Sequence, residues 1–418
     1  MAVDVLILNT AVTDLRRPDF DFADGLVGKG GLAKCKSEDM PGYSQEQLRQ
    51  WTEQGCATAG GPGNCAPLIA RTGLKVAIGV NLGKGRYGQA TARACALTSG
   101  LDAQGRFFYD VMAANGIDMS ATFVHPKLGT GTTFIHSTSG QERGGIAYFP
   151  NANDDFDFEI FKPAVDRLKP SIVYYMYSGL SARGDANGGR DLAEFIRWCR
   201  GRGVITIADS HTLTADPGKL ITAGEPVKEY RLLEPLLPEL DVFFTSCDEA
   251  KLIENTLGQK RRAWAKFQEH ENNVHFLEFL TGRFWPKDGR TRLFGVTVSN
   301  GAYEKHICAG SDEVAFAVAG PNRVESRFMA GEVVDLVGAG DSFRAGLLSY
   351  IARDLDRFRD GSIDFERAVQ MGNLFASLYI KAPLNDRYGN IKAYEKMLGV
   401  LWGGRIYQTF EALRKALS

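Results

Sequence analysis

Residues 335–341 read Asp335, Leu336, Val337, Gly338, Ala339, Gly340 and Asp341, and side chains in that order suit one kind of chemistry. Three small residues let a backbone turn come close to a ligand and aim its N–H groups outward. Phe343, Leu347, Tyr350 and Ile351 then recur at helical spacing, which predicts a helix opening at the turn. The positive end of that helix dipole would complete an anion site. Asp341, at the mouth of the site, would repel an anion at rest. A carboxylate held there makes more sense as a base that takes a proton from an attacking hydroxyl. Taken alone, the stretch also fits a glycine turn whose acidic residue merely complements the dipole.

A second glycine constellation runs Gly60, Gly61, Pro62, Gly63, Asn64, Cys65, Ala66 and Pro67, with Gly73 and Gly83 further on. Asn64 is a good N-cap, Pro67 sits in a tolerant first turn, and Gly73 suits the residue after a helix. The glycine pair lets the backbone approach a small polar ligand, to which Asn64 can both donate and accept. A loop that only caps a helix would read the same way.

The elements that must position these residues alternate along the chain. Apolar runs at 5–8, 76–80, 172–175, 204–208, 242–245 and 296–298 predict strands, and patterns such as 190–200 and 248–256 predict helices. The alternation predicts an α/β fold with a mostly parallel sheet covered on both faces. Ligands of such sheets gather at the carboxyl ends of the strands. One region departs from the pattern. Thr130 to His136 and Gly145 to Phe149 flank Ser139, Gly140, Gln141, Glu142 and Arg143, which reads as a β hairpin. It is either a lid over a cleft or a plain edge hairpin. Segments 16–56, 211–235 and 258–293 look like insertions, rich in turn residues and weakly periodic. No linker divides the chain, so 1–418 is expected to form one domain, with a small β lid contributed mainly by about 120–150.

Charge is nearly balanced, with 49 basic against 50 acidic residues, which argues for neither a nucleic-acid nor an anionic membrane partner. The seven cysteines are scattered and include no C-x-x-C pair. They predict reduced thiols of a cytoplasmic protein rather than a zinc site or a disulfide framework. Residues 1–8 lack a basic leader and read as a buried first strand. No apolar stretch approaches membrane-spanning length.

The two constellations together resemble the two signatures of the ribokinase-like (PfkB) carbohydrate and nucleoside kinase family. Gly60 to Gly83 is similar to the first, and Asp335 to Asp341, continued by Ala345, Gly346, Leu347 and Leu348, is similar to the second. The resemblance implies a ribokinase-like three-layer sandwich with a β lid, and an ATP-dependent phosphotransferase that uses Mg2+. Asp341 would be the base, and backbone N–H groups from Val337 through Gly338, Ala339 and Gly340 the anion hole. Asp14, Gly60, Gly61 and Asn64 would hold the acceptor, with Glu142 and Arg143 reaching in from the lid. Ser246, Ser299, Gly301 and Asn373 would border the nucleotide, and Glu249 would help hold magnesium through water.

Three positions depart from the family pattern. Ser246 stands where Asn is usual, Ser299 where Gly is usual, and Leu336 where Thr is usual. The implied acceptor is the CH2OH of a sugar, sugar acid or nucleoside, and an adenosine-like nucleoside kinase is the nearest alternative. A homodimer paired through the lids is one arrangement that the resemblance allows. A non-catalytic kinase-like binding protein is the reading from another class, motivated by Ser246 and Leu336. A nicotinamide dehydrogenase fails on placement, because no G-x-G-x-x-G follows the first strand.

Overall fold

The computed structural model describes residues 2–16, 27–40, 44–84, 100–136, 144–258, 264, 269–309, 318–328 and 331–418. Its strands, in chain order, are β1 (Val5–Leu8), β2 (Val12–Arg16), β3 (Leu32–Lys34), β4 (Ala57–Gly60) and β5 (Val76–Gly79). They continue with β6 (Asn81–Gly83), β7 (Phe123–His125), β8 (Gly131–Ile135), β9 (Ile146–Phe149) and β10 (Ile172–Ser178). β11 (Ile205–Ser210), β12 (Val242–Ser246), β13 (Arg292–Val298), β14 (Gly301–Ile307) and β15 (Val318–Glu325) complete the set.

Eight strands form the main sheet in the order β15-β14-β13-β12-β11-β10-β1-β5. From β5 to β13 every pairing is parallel, and β14 and β15 add an antiparallel edge. Strands buried on both faces are expected to be apolar throughout, and the two-residue period divides them between two cores. Val5, Ile7, Tyr174, Ile207 and Phe244 face the helices Ala339–Arg353 and Phe365–Ile380. Leu6, Leu8, Val173, Tyr175 and Phe243 pack with residues of the helices Arg190–Arg200, Cys247–Leu257 and Glu269–Phe284. This is the expected three-layer sandwich.

The lid is a second sheet in the order β3-β9-β8-β2-β4. Its β8–β9 hairpin is antiparallel, with Thr133 opposite Tyr148, as expected. The turn at 137–143 lies outside the described residues, and Glu142 and Arg143 with it. The hairpin is only part of the lid. β2 follows β1 after three residues, and β3 and β4 come from within or beside the 16–56 segment. Alternation gives this sheet two faces. Val12, Asp14, Thr133, Ile135, Ile146 and Tyr148 line the cleft, while Leu15, Phe134, Ala147 and Phe149 pack under Leu48 and Trp51 of the helix Gln45–Glu53. That helix is nucleated by a capping box between Ser44 and Gln47.

The other two supposed insertions are also integrated. Helix Glu269–Phe284 buries Phe276, Leu277 and Leu280 completely, although buried Asn272, Asn273 and Thr281 dilute its apolar period. The 211–235 segment docks the lid, since the N–H groups of Gly28 and Leu32 donate to Ala215 O at 2.7 Å and Thr214 O at 2.8 Å. Among the described residues, no helix is long and apolar enough to cross a membrane, and the described cysteines are free thiols.

Candidate active site

A cleft of about 430 Å³ lies between the lid and the main sheet. Thr10, Tyr177, Ser210, Ser246 and Val298 bring the carboxyl ends of five parallel strands to its floor. The turn before helix Ala339–Arg353 forms one wall. Gly338 caps that helix at φ 84, a left-handed conformation in which a side chain is strained. A Cβ there would also stand 2.8 Å from Tyr379 Cε1 and 3.1 Å from Asn64 Cγ.

The expected anion hole is narrower than the run from Val337 to Gly340. The Val337 N–H donates to Asp335 Oδ1 at 3.0 Å, and the Ala339 N–H to Leu336 O at 3.1 Å. Among the described residues, nothing accepts from the N–H groups of Gly338 and Gly340, which remain for an anion. The turn is clamped from behind. Asp335 Oδ2 accepts from Arg16 Nε at 2.8 Å and lies 3.3 Å from Arg387 Nη1, while Arg387 Nη2 donates to Val337 O at 2.7 Å.

Asp341 is buried at the head of the same helix. Its Oδ2 accepts from the Tyr177 hydroxyl at 2.6 Å and from Asn64 Nδ2 at 3.1 Å. Asn64 is fixed in turn by the Tyr379 hydroxyl, which donates to its Oδ1 at 2.7 Å. Arg344 Nη1 lies 3.4 Å from Asp341 Oδ1. The two sequence signatures therefore meet through one side-chain hydrogen bond.

Asp14 enters the cleft from β2, where its Oδ1 accepts from the Thr133 hydroxyl of the neighbouring β8. Burial pushes its carboxyl above the usual range, opposed by the Arg16 charge and the Thr133 bond. Gly60 does not line the cleft. A Cβ at Gly60 would collide with the Asp14 carboxylate, so this glycine makes room for Asp14. Gly61 lines the cleft at φ 58, its backbone pressed against Thr10 O.

On the opposite side lie Ser246, Glu249, Ser299, Gly301 and Asn373. Ser246 caps helix Cys247–Leu257 and accepts from the Glu249 N–H at 3.3 Å; Glu249 Oε2 accepts from the Ser246 N–H at 2.9 Å and the Thr245 hydroxyl at 3.0 Å. This capping box explains why serine suits a position where the family pattern favours Asn. Ser299 and Asn300 form the tight β13–β14 turn, and Gly301, at φ 142, packs its backbone on Val324 O. Asn373 donates to Gln370 Oε1 at 3.3 Å. Leu336 also lines the cleft.

Among the described residues, no three acidic, histidine or cysteine side chains form a metal cage. Glu249 Oε1 is approached by the Thr212 hydroxyl only at 3.5 Å, leaving it able to accept from metal-bound water. That donor set fits magnesium, which keeps its waters and takes further ligands from phosphates.

Sequence reasoning missed Tyr177, Tyr379, Arg16, Arg387, Asp209 and Arg344. Two of these left a signal. Asp209 puts a charge directly after the apolar run at 204–208, and Arg344 puts a cation among buried small and apolar residues three places after Asp341.

The pfkB family carbohydrate kinase profile matches residues 306–385. No curated protein sequence matches the chain. Among solved structures, a probable sugar kinase from Rhizobium etli CFN 42 superposes with TM-score 0.57 at 18% identity, covering 92% of this chain and 98% of that one. The adenosine kinase of Trypanosoma brucei brucei gives 0.59 at 17% identity, covering 91% and 100%. A fructokinase from Xylella fastidiosa, solved with bound ATP, gives 0.59 at 18% identity, covering 96% and 98%. The structural likeness establishes the fold across nearly the whole chain, and the profile match falls on the segment that carries Asp341. Over residues 306–385 the chain is similar to pfkB family carbohydrate kinases, and its fold is the ribokinase-like fold of these solved sugar and adenosine kinases.

Proposed function

We propose that the chain transfers the γ-phosphoryl group of ATP to a hydroxyl, most simply a CH2OH, of a sugar, sugar acid or nucleoside. The observation that carries this reading is the meeting of two buried carboxylates, Asp341 and Asp14, with the unspent Gly338 and Gly340 N–H groups around one cleft. Asp14 would accept hydrogen bonds from acceptor hydroxyls and orient the molecule. Asp341, already fixed by Tyr177 and Asn64, would take the proton of the attacking hydroxyl. The Gly338 and Gly340 dipoles would stabilise charge spreading over the transferred phosphoryl oxygens. Magnesium bound near Glu249 would neutralise phosphate charge. The lid would exclude water, with 1–418 acting as one domain. The choice of ATP as donor is supported by the match to the family profile and by analogy with the fructokinase solved with ATP bound.

One observation favours a nucleoside over a free sugar. Leu32, Ile135, Ile146, Tyr148 and Leu180 give the lid side of the cleft an apolar wall, which suits a heterocyclic base better than a ring of hydroxyls. A binding protein without catalysis would have no need for a buried carboxylate at a phosphate turn. A homodimer through the outer lid face would have to displace helix Gln45–Glu53, which covers it. Transfer of labelled phosphate from ATP across a panel of sugars, sugar acids and nucleosides tests the proposal. Absence of transfer to every class, by protein that binds ATP, overturns it.

A further inference from the structure

Asp209, next to last in β11, has no exposed surface, and the reaction proposed above makes no direct use of it. Its Oδ1 accepts the backbone N–H of Tyr177 at 2.6 Å. Its Oδ2 accepts the Tyr174 hydroxyl at 2.8 Å and lies 3.0 Å from Arg344 Nη1. Tyr177 stands at φ 59, a left-handed conformation that a side chain keeps only when its surroundings enforce it. From there its hydroxyl reaches Asp341 Oδ2 at 2.6 Å. Arg344 Nη2 donates to Phe244 O at 3.1 Å, and Nη1 faces Asp341 Oδ1 at 3.4 Å. Asp209 therefore reaches both oxygens of Asp341, each through a different residue.

We propose that Asp209 and Arg344 act as one positioning device for Asp341, with Asp209 fixing the Tyr177 turn and the Arg344 guanidinium that together aim the base at the acceptor hydroxyl. The inference rests on Asp341 being the base. Arg344 is shared between two carboxylates. Without Asp209 its charge falls wholly on Asp341 and is drawn across the base. Without Arg344, two buried carboxylates face each other and the Asp341 oxygens lose their lateral support. Burial raises the Asp209 carboxyl and the Arg344 charge opposes that rise, so the guanidinium is what favours the ionised form here.

The test compares full-length wild type with Asp341→Asn, Asp209→Asn, Arg344→Met, Arg344→Lys and the double variant Arg344→Met with Asp209→Asn. The readouts are kcat, KM for ATP and Tm. Each single change at 209 or 344 to a neutral side chain is expected to lower kcat by about 100-fold while KM for ATP stays within about threefold. The double variant leaves neither charge unpaired, so its Tm should recover toward wild type. Its kcat should stay as low as that of the weaker single variant, because the two residues serve one purpose. Arg344→Lys keeps the charge without the planar fork and should lose about tenfold in kcat. A double variant with recovered Tm and kcat within about threefold of wild type shows the pair to be structural only, and overturns the proposal. If the neutral variants do not fold, wild-type kcat in Arg344→Lys overturns it instead. Turnover that survives in Asp341→Asn removes the base reading and this inference with it, whereas an inactive Asp341→Asn beside an active double variant removes this inference alone.

Discussion

Adding one methyl group at Gly338 should disable the site without touching a charged residue. At φ 84 an alanine bears about 1–2 kcal/mol of backbone strain that glycine escapes. Its Cβ would lie 2.8 Å from Tyr379 Cε1 and 3.0 Å from the Tyr379 hydroxyl oxygen, and relief requires the ring to retreat by roughly half an ångström. Tyr379 has little room to do so. Its hydroxyl is bound to Asn64, and the Arg387 guanidinium stacks 4.0 Å from its ring centroid. Overpacking of this kind adds about 1–3 kcal/mol, for a total destabilisation of about 2–5 kcal/mol. Any shift passes through Asn64 to Asp341 and also moves the Gly338 N–H. Gly338→Ala should therefore lose about 100-fold in kcat, the scale on which misplaced catalytic groups and lost anion-hole donors act. Gly340→Ala is the comparison for stability only, since it needs no left-handed backbone and its Cβ would meet the end of the Arg344 side chain, with Nη1 at 3.2 Å. Denaturant unfolding and coupled ADP release would measure both variants. Wild-type stability and turnover in Gly338→Ala would refute the argument that this turn admits only glycine.

Asp341→Asn keeps the shape and can still accept from Tyr177, so it should fold and bind ATP. Loss of the base should lower kcat by about 10²–10⁴-fold, and near-normal turnover would sink the mechanism. Gly60→Ala should push Asp14 aside and raise the acceptor KM by about tenfold or more, with KM for ATP unchanged; equal effects on both substrates would contradict the assignment of Asp14. Asp185 is half-buried, its Oδ2 accepting from the Ser181 N–H at 2.8 Å, and loss of solvation raises its carboxyl to about 7 from an ordinary 3.8. Between those values the folded protein holds a proton that the unfolded chain releases, so this stabilisation is present at low pH and lost as pH rises toward about 7. Asp185→Asn should lack that slope, and parallel Tm–pH curves for the two proteins from pH 4 to 8 would exclude it.

The parts of the site legible in the sequence are those with local requirements. Gly338 and Gly61 betray themselves because a turn needs that residue type at that point. Asn64 does not cap the helix Ala66–Arg71 as expected, since Cys65 holds the N-cap position and the Asn64 side chain is spent on Asp341 and Tyr379. The strand at 5–8 was read with its true bounds, since an apolar run buried on both faces leaves no ambiguity. β10 continues past the apolar run read at 172–175 as far as Ser178, and the strained Tyr177 lies in that unread end. The hairpin of the lid was visible through its turn. The parallel pairings of β2 with β8 and β3 with β9 were not, because they join segments more than a hundred residues apart. Distance along the chain also hid the Asp209–Arg344 pair. In the sequence Ser246 is only a departure from the family's Asn, and its capping role appears once the helix start is seen.

The crossing from β1 to β2 takes only three residues, of which Asn9 and Thr10 are left-handed at φ 77 and 50. It sets Asp14 on the lid sheet, while Asp341 stays on the core helix. On the proposed function, the choice of acceptor and the chemistry performed on it would thus be inherited on separate structural modules. Drift at Leu32, Ile135 or Ile146 can offer a lineage new acceptors while the packing around the phosphoryl turn stays unchanged. Selection for a new metabolite would leave its record on the lid, and selection for turnover would leave its record beneath it.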